Sequence, residues 1–120
     1  MDTPFVAMRE PTYFVLASLL DGPLHGYGII KRTGQLSNGR VKLATGTLYT
    51  ALDRLSGEGY IRVVSEETVS GRPRRSYGLT ESGAAALNAE ATRMAEAARI
   101  VLAPAAGFRV GPAGRKVRPA

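Results

Sequence analysis

A leucine pattern in the stretch TLYTALDRLSGEGYI, residues 47–61, places the tightest constraint on the fold. Its leucines recur at intervals of four and three, the spacing of one helix face: Leu48, Leu52 and Leu55. At 100° per residue a second face carries Thr47, Thr50 and Arg54, with Tyr49 beside it. Lys or Glu would give that face solubility. Hydroxyls, an aromatic ring and an arginine indicate instead a surface that binds a partner.

Three consecutive helices are predicted within residues 11–58. The first is predicted over residues 11–20, with Pro11 in its first turn. Its apolar stripe is expected to comprise Phe14, Leu16, Ala17 and Leu20. The segment HGYGIIKRTGQLSNG predicts a second helix with Tyr27 and Ile30 on one side. The leucine segment itself predicts a third helix over residues 46–58, for which Thr45 is a suitable cap.

A hairpin and a long helix are predicted next. The segments YIRVVSEETV and RRSYGL are extended in character, and the loop formers SGRP lie between them. Thr80 is expected to cap a last helix whose apolar seam has four-three spacing, which predicts packing against a partner helix. The seam residues are Leu87, Ala91, Met94, Ala98 and Val101. Because Ala91 and Ala98 bury little area, Tyr13 and Phe14 of the first helix are expected to join this dimer contact.

The order of elements predicts a mainly α fold with a small β-hairpin, a winged helix-turn-helix plus a C-terminal dimerisation helix. Residues 1–10 are expected to be a flexible N-terminal segment, and residues 11–79 the winged DNA-binding domain. Residues 80–102 are expected to form the dimerisation helix, and residues 103–120 are expected to be a disordered basic tail.

The net charge of +6 on 120 residues is unevenly distributed. Residues 103–120 carry four basic side chains and no acid, so the remainder holds twelve Lys or Arg against ten Asp or Glu, which leaves +2. The charge alone is therefore weak support for nucleic-acid binding. Tail-driven, sequence-independent binding is one alternative function.

Several classes of function are excluded or disfavoured by composition. The absence of cysteine excludes disulfides and thiolate metal sites, and the single histidine, His25, is expected to be a cap or a buried hydrogen-bonding residue. The sequence contains no Ser-His-Asp constellation and no phosphate-binding glycine loop, so we expect neither an enzyme nor a cofactor. No apolar run approaches the roughly 18 residues of a membrane span, and no secretory leader is apparent, so the cytoplasm is expected.

Three blocks in order carry a family resemblance: LASLLDGPLHGYGIIKR, GTLYTALDRLSGEGYI and GRPRRSYGLTESGAAAL. Over about residues 13–90 the chain resembles the PadR-type transcriptional regulators. The resemblance implies a winged-helix homodimer that binds a semi-palindromic operator in double-stranded DNA, typically as a repressor. The short final helix resembles the small subfamily with a single C-terminal helix. A small-molecule effector between the winged domain and that helix is a further family analogy, for which the residues identify no ligand site.

The chain departs from the family pattern in three places. Thr50 stands where the family commonly has proline, and Gly28 where it commonly has a larger or acidic residue. Tryptophan is absent, so the stacking of flat aromatic ligands on tryptophans, as in some relatives, does not carry over.

The third helix and the hairpin supply the expected DNA contacts. A helix fits the major groove and its N-terminal residues reach base edges. On the helix and the residues before it, the expected contacts are Lys42, Thr45, Thr47, Tyr49, Thr50 and Arg54. The hairpin is the wing of this fold, and its arginines could contact phosphates or enter a narrow minor groove, of which phosphate contact is the expectation: Arg72, Arg74 and Arg75.

Interpretations without DNA contact stay open at these positions. The threonines and Lys42 could be merely solvated, and Tyr49 could fill a gap in the core. Glu66 and Glu67 could balance the wing arginines, although pairing is expected for only one of them. A winged-helix adaptor that dimerises without binding specific DNA is the alternative function.

Overall fold

A computed structural model describes residues 8–103 and the backbone of residues 109–110 and 116–117. Its helices are α1 (Glu10–Ser18), α2 (Gly26–Leu36), α3 (Thr45–Gly57) and α4 (Glu81–Leu102). Its strands are β1 (Leu24–His25), β2 (Ile61–Val69), β3 (Arg72–Leu79), β4 (Arg109–Val110) and β5 (Lys116–Val117). The order of three helices, a hairpin and a long helix confirms the predicted winged helix-turn-helix. The chain divides into two compact units, Met1–Glu90 and Ala91–Ala120, with the boundary inside α4.

The core of the Met1–Glu90 unit is built on the leucines that the periodicity identified. Leu48, Leu52 and Leu55 are fully buried, which confirms the predicted inner face of α3. Burying each such side chain stabilises the fold by about 1.5–3 kcal/mol. The other buried members of the cluster come from every remaining element of this unit except β1: Val15, Leu16, Leu19, Ile29, Ile61, Tyr77 and Leu87.

The inner faces of α1 and α2 differ from the prediction. Helix α1 ends at Ser18, two residues early, so Leu20 lies in the following turn and is 63% exposed. Val15 and Leu19 take the core positions that the pattern did not assign. In α2 the buried face is centred on Ile29 and Thr33, one turn apart, with the Thr33 hydroxyl 3.4 Å from the Phe14 carbonyl oxygen.

Tyr27 and Ile30 therefore do not form the fully buried face of α2. Tyr27 is 73% exposed and Ile30 only half-buried. The helix begins at Gly26, and packing against α1 rather than local hydrophobicity sets its rotation. Tertiary contacts here override the sequence pattern.

A short strand precedes α2, and the sequence pattern missed it. Leu24 and His25 pair with Tyr77 and Ser76, which completes a three-stranded antiparallel sheet in the order β1-β3-β2. The His25 Nδ1 atom also accepts a hydrogen bond of 3.0 Å from the Gly28 backbone N–H, so His25 caps α2 as expected. A two-residue strand is too short to show any periodicity.

The starts of α3 and α4 are built differently. Thr45 was predicted as the cap of α3, but it is the first helical residue, and Ala44 occupies the cap position without a side-chain hydrogen bond. At α4 the prediction is confirmed, because the Thr80 hydroxyl accepts a hydrogen bond of 3.0 Å from the Gly83 backbone N–H. The N-terminal amides of α3 are thus left without a side-chain acceptor from the cap residue.

The hairpin turn is tighter than the loop-forming residues suggested. Ser70 and Gly71 have positive φ angles of 52° and 77°, as in a two-residue turn that matches strand twist. Arg72 and Pro73, predicted to lie in the turn, already belong to β3 opposite Val69 and Thr68. The arginines therefore lie within a paired strand and not in a loop.

The predicted flexible and disordered segments lie mostly outside the described residues, namely residues 1–7, 104–108, 111–115 and 118–120. Arg109–Val110 pairs antiparallel with Lys116–Val117, which the lack of periodicity did not predict. None of the helices in the described part of the chain combines the length and the hydropathy that a membrane span requires.

Candidate nucleic-acid interface

The outward face of α3 forms a shallow depression of about 560 Å³. It is lined by Gly46, Thr47, Thr50, Ala51 and Arg54. Three residues that the helical pattern assigned to the outer face are thus brought together as predicted. The buried leucines on the opposite side of α3 fix the rotation of the helix, and this rotation exposes the outer face.

The first two turns of this face present small groups. Thr47 and Thr50 are exposed, and the Thr50 hydroxyl donates a 3.1 Å hydrogen bond to the Gly46 carbonyl oxygen. A Cβ atom added at Gly46 would meet nothing within 4 Å. Another molecule can therefore approach the start of α3 closely.

Arg54 is oriented by two neighbours. Its guanidinium donates a 2.9 Å hydrogen bond to the Thr12 hydroxyl on α1 and lies 3.4 Å from the Glu58 carboxylate one turn along α3. About half of the side chain stays exposed, at 49%. Sequence reasoning missed Thr12, because the two residues are 42 positions apart and no local pattern links them.

Tyr49 lies on the other flank of α3, beside the start of α2. Its ring is 45% exposed, so it does not fill a core gap. Its hydroxyl lies against the start of α2, where a Cβ atom added at Gly26 would be only 2.6 Å from it. Gly26 thus permits the close packing of α2 on α3.

The same flank of α3 is electrostatically coupled to β3 through Tyr77. Burial of its ring raises the pKa of Tyr77 above the ordinary value, and the nearby Tyr49 and Asp53 act in the same direction. Arg75 opposes them with its positive charge and a hydrogen bond. The helix and the wing therefore share one set of interacting polar groups.

Two of the three wing arginines are paired with acids. The Arg75 Nε atom lies 2.7 Å from a Glu66 carboxylate oxygen, and an Arg74 terminal nitrogen lies 3.6 Å from Glu67. Pairing was expected for only one arginine, but the strand register places both arginines opposite an acid. The hydrogen bond and charge of Glu66 also raise the pKa of Arg75. Arg72, opposite Val69, has no carboxylate within ion-pairing distance among the described residues.

The remaining predicted DNA contacts lie beside the start of α3. Lys42 is exposed in the segment before the helix, and Thr45 is exposed as its first residue. Both are close in sequence to the uncapped amides of the first helical turn. This end of α3 therefore combines positive charge, backbone donors and hydroxyls.

The residues predicted for dimerisation differ in how far they are buried. Leu87, predicted as part of the seam toward a partner helix, is only 5% exposed and belongs instead to the core of the Met1–Glu90 unit. Tyr13 and Phe14 are half-buried, with their rings in an edge-to-face contact at 5.4 Å.

On α4, the predicted seam residues after Leu87 are mostly exposed. Ala91 is half-buried, whereas Met94, Ala98 and Val101 are exposed. The exposed Ile100 and Leu102, which the seam did not include, flank Val101 in sequence.

Known proteins similar to this chain include a transcriptional regulator. Transcriptional regulator Rv3488 of Mycobacterium tuberculosis (strain ATCC 25618 / H37Rv) is 36% identical over 88 residues, 73% of this chain and 78% of that protein. An uncharacterised 37.1 kDa protein in transposon TN4556 of Streptomyces fradiae is 41% identical over 87 residues, 72% of this chain. This chain covers only 24% of the length of that transposon protein.

A solved structure and a family profile agree with these similarities. The crystal structure of Bacillus subtilis PadR in complex with operator DNA superposes with a TM-score of 0.59 at 26% identity, over 67% of this chain and 46% of that one. The profile of the transcriptional regulator PadR-like family matches residues 15–89. That family consists of transcriptional regulators, so the prediction that the chain is not an enzyme is confirmed. The chain belongs to the transcriptional regulator PadR-like family.

Proposed function

We propose that this protein is a transcriptional repressor that binds a semi-palindromic operator as a homodimer, with α3 in the major groove. One observation carries the proposal: Thr47, Thr50 and Arg54 lie together on the exposed face of α3, opposite three fully buried leucines. If this face only had to be soluble, lysine or glutamate would be sufficient there. Hydroxyls and an oriented guanidinium are groups that hydrogen-bond to base edges.

The start of α3 suits a close approach to DNA. Recognition helices present their N-terminal residues to base edges. Gly46 leaves space there, and Thr47 is exposed beside it. Arg54, which lies about two turns further along α3 and is held by Thr12, can donate two hydrogen bonds to a guanine.

Phosphate contacts would hold the helix in place. Lys42 and Thr45 flank the uncapped amides of α3, and helix N-termini bind phosphate oxygens readily. In the wing, Arg72 is the arginine without a described acid partner, so we assign it the first phosphate contact. Tyr49 would contact DNA through its exposed edge, because its hydroxyl packs against α2.

The similarity to Bacillus subtilis PadR supports this function. That protein was crystallised with operator DNA, and its likeness to this chain spans 67% of the chain. We extend operator binding to this chain on that basis. Repression follows if the bound dimer blocks access to a promoter, and an effector, if one acts, would shift the affinity of the dimer for DNA.

Dimerisation is proposed through the C-terminal half of α4. Met94, Ile100, Val101 and Leu102 are exposed there, and the last three are about four-fifths exposed. Such apolar side chains are commonly covered by a partner. A two-fold dimer would also present two copies of α3 to the two halves of a semi-palindromic operator.

The test compares the DNA upstream of the protein's own coding sequence with a scrambled duplex of the same composition. Binding would be measured by fluorescence anisotropy at about 50 and 200 mM salt. We expect a preference of about a thousandfold or more for the upstream DNA that persists at the higher salt. Equal affinities with the same salt dependence would contradict specific binding and favour the adaptor or tail-driven alternatives.

A further inference from the structure

We propose that Glu66 and Glu67 compete with DNA phosphates for Arg75 and Arg74, and so limit the affinity of the wing for DNA of any sequence. The proposal rests on the DNA-binding function proposed above. It assigns a role to two acids inside a surface that would otherwise be strongly basic.

The geometry of the hairpin distributes the two ion pairs evenly. Glu66 lies directly opposite Arg75, and Glu67 directly opposite Arg74. Because consecutive strand residues point to opposite faces, each face of the hairpin carries one pair. The wing is thus neutralised on both faces, whichever one approaches DNA.

The pairs are too exposed to matter much for folding. The arginines and glutamates are 45% to 62% exposed. Exposed ion pairs of this kind contribute little to stability. Their main consequence is electrostatic, since they cancel the charge of two of the three arginines at Arg72, Arg74 and Arg75.

A phosphate that approaches either paired arginine meets a carboxylate as well. Both carboxylates lie within 4 Å of their guanidinium groups, at 2.7 Å and 3.6 Å. The Debye length is about 8 Å at physiological ionic strength, so salt screens the repulsion between carboxylate and phosphate only in part at these distances. Phosphate contact therefore requires an arginine to leave its acid or the phosphate to approach a carboxylate.

The effect should be independent of DNA sequence. Phosphates carry no base information, so neutral wing pairs weaken binding to operator and random DNA alike. Discrimination is then left to α3. The two acids act as a fixed limit on nonspecific attraction.

The experiment removes the two negative charges while keeping the side-chain shape. Binding of the Glu66→Gln/Glu67→Gln variant to a scrambled duplex is measured by anisotropy across a salt series. We expect affinity to rise about tenfold at 50 mM salt, and log K against log salt to steepen by about 1.8, two counterions at 0.9 each. The single variants Glu66→Gln and Glu67→Gln should each give about half of the change in slope.

Asp21→Asn is the matched control for each single variant. Asp21 is an exposed acid paired with Arg32 at 3.4 Å, outside the wing, so its loss changes net charge equally. It should raise affinity little. If a wing variant binds scrambled DNA no more tightly than Asp21→Asn does, the proposal is wrong.

A double-mutant cycle shows whether the gain passes through the arginines. In the parent, Arg74→Gln/Arg75→Gln should weaken binding, because it leaves the Glu66 and Glu67 carboxylates without a compensating charge. In the glutamine background the same change should abolish the gain. A gain that survives removal of both arginines overturns the proposal. Failure of the proposed function is a separate result, because it appears as a parent without preference for the upstream DNA.

Discussion

Tyr77 interacts electrostatically with side chains of both α3 and the wing. Its ring is 6% exposed in the core, while Tyr49 and Asp53 of α3 and Arg75 of the wing act on its hydroxyl. Burial is the main cause of its raised pKa. The folded protein thus holds the phenolic proton more tightly than the unfolded chain does.

This raised pKa predicts a specific loss of stability in alkali. Tyr77 contributes stability that is fully present below its ordinary pKa of 10.0 and is lost as the pH rises through the folded value. Tyr77→Phe should therefore flatten the fall in melting temperature above about pH 10. Tyr27→Phe, at a 73% exposed ring, is the control and should follow the parent curve. Parallel curves for the parent and Tyr77→Phe would contradict this.

Residue-level prediction succeeded where a contact follows from helical spacing. The helical pattern assigned Thr47, Thr50 and Arg54 to one face, and the same pattern fixed the inner leucines. It could not supply Thr12 as a partner of Arg54, because the contact depends on how α1 packs on α3. It also underestimated acid pairing in the wing, because the register that sets it depends on a two-residue turn.

At the scale of elements, a single glycine determines how α4 joins the hairpin. A Cβ atom added at Gly83, in the first turn of α4, would collide with the Tyr60 carbonyl oxygen just before β2. Thr80 joins the same two segments, since its hydroxyl donates a 2.5 Å hydrogen bond to the Gly59 carbonyl oxygen. The start of α4 is therefore fixed against the end of the α3–β2 turn.

Alanine substitutions at two helical glycines test this packing. Gly83→Ala should destabilise the fold by about 1–3 kcal/mol, because a rigid backbone atom blocks the new methyl group. Gly57→Ala, at the last residue of α3 where a Cβ meets nothing within 4 Å, should stabilise by up to about 1 kcal/mol. Urea denaturation of both variants measures the difference. Similar midpoints for the two would show that Gly83 is not a packing constraint.

The elements with long patterns were predictable, and the short or tertiary ones were not. The three leucines placed α3 within one residue at each end. β1 has two residues and forms only because β3 lies beside it. Leu87 fitted a dimer seam by spacing, yet it is buried in the domain core, because the first turns of α4 pack within the Met1–Glu90 unit.

At the scale of the whole molecule, binding to a semi-palindromic operator as proposed requires a second copy of the chain. The exposed Met94 and Val101 keep the predicted seven-residue spacing on α4 after Leu87 is removed from the seam. We expect sedimentation to show a dimer at micromolar concentration. The Met94→Asp/Val101→Asp variant should sediment as a monomer with an unchanged melt of the winged domain, because charges on that face oppose apolar association. A parent that sediments as a monomer would rule out this mode of operator binding.

Recognition of the DNA sequence by α3 can be tested by comparing two substitutions on that helix. Thr47→Ala should weaken operator binding by about 1–3 kcal/mol and leave scrambled DNA almost unaffected, because only base contacts carry sequence information. Ser56→Ala, an exposed hydroxyl on the far side of the same helix, is the matched control and should bind as the parent does. Affinities on the two duplexes would be measured at one salt concentration, with thermal melts to confirm folding. If Thr47→Ala binds the operator as tightly as Ser56→Ala, α3 does not read the sequence and the proposed function is wrong.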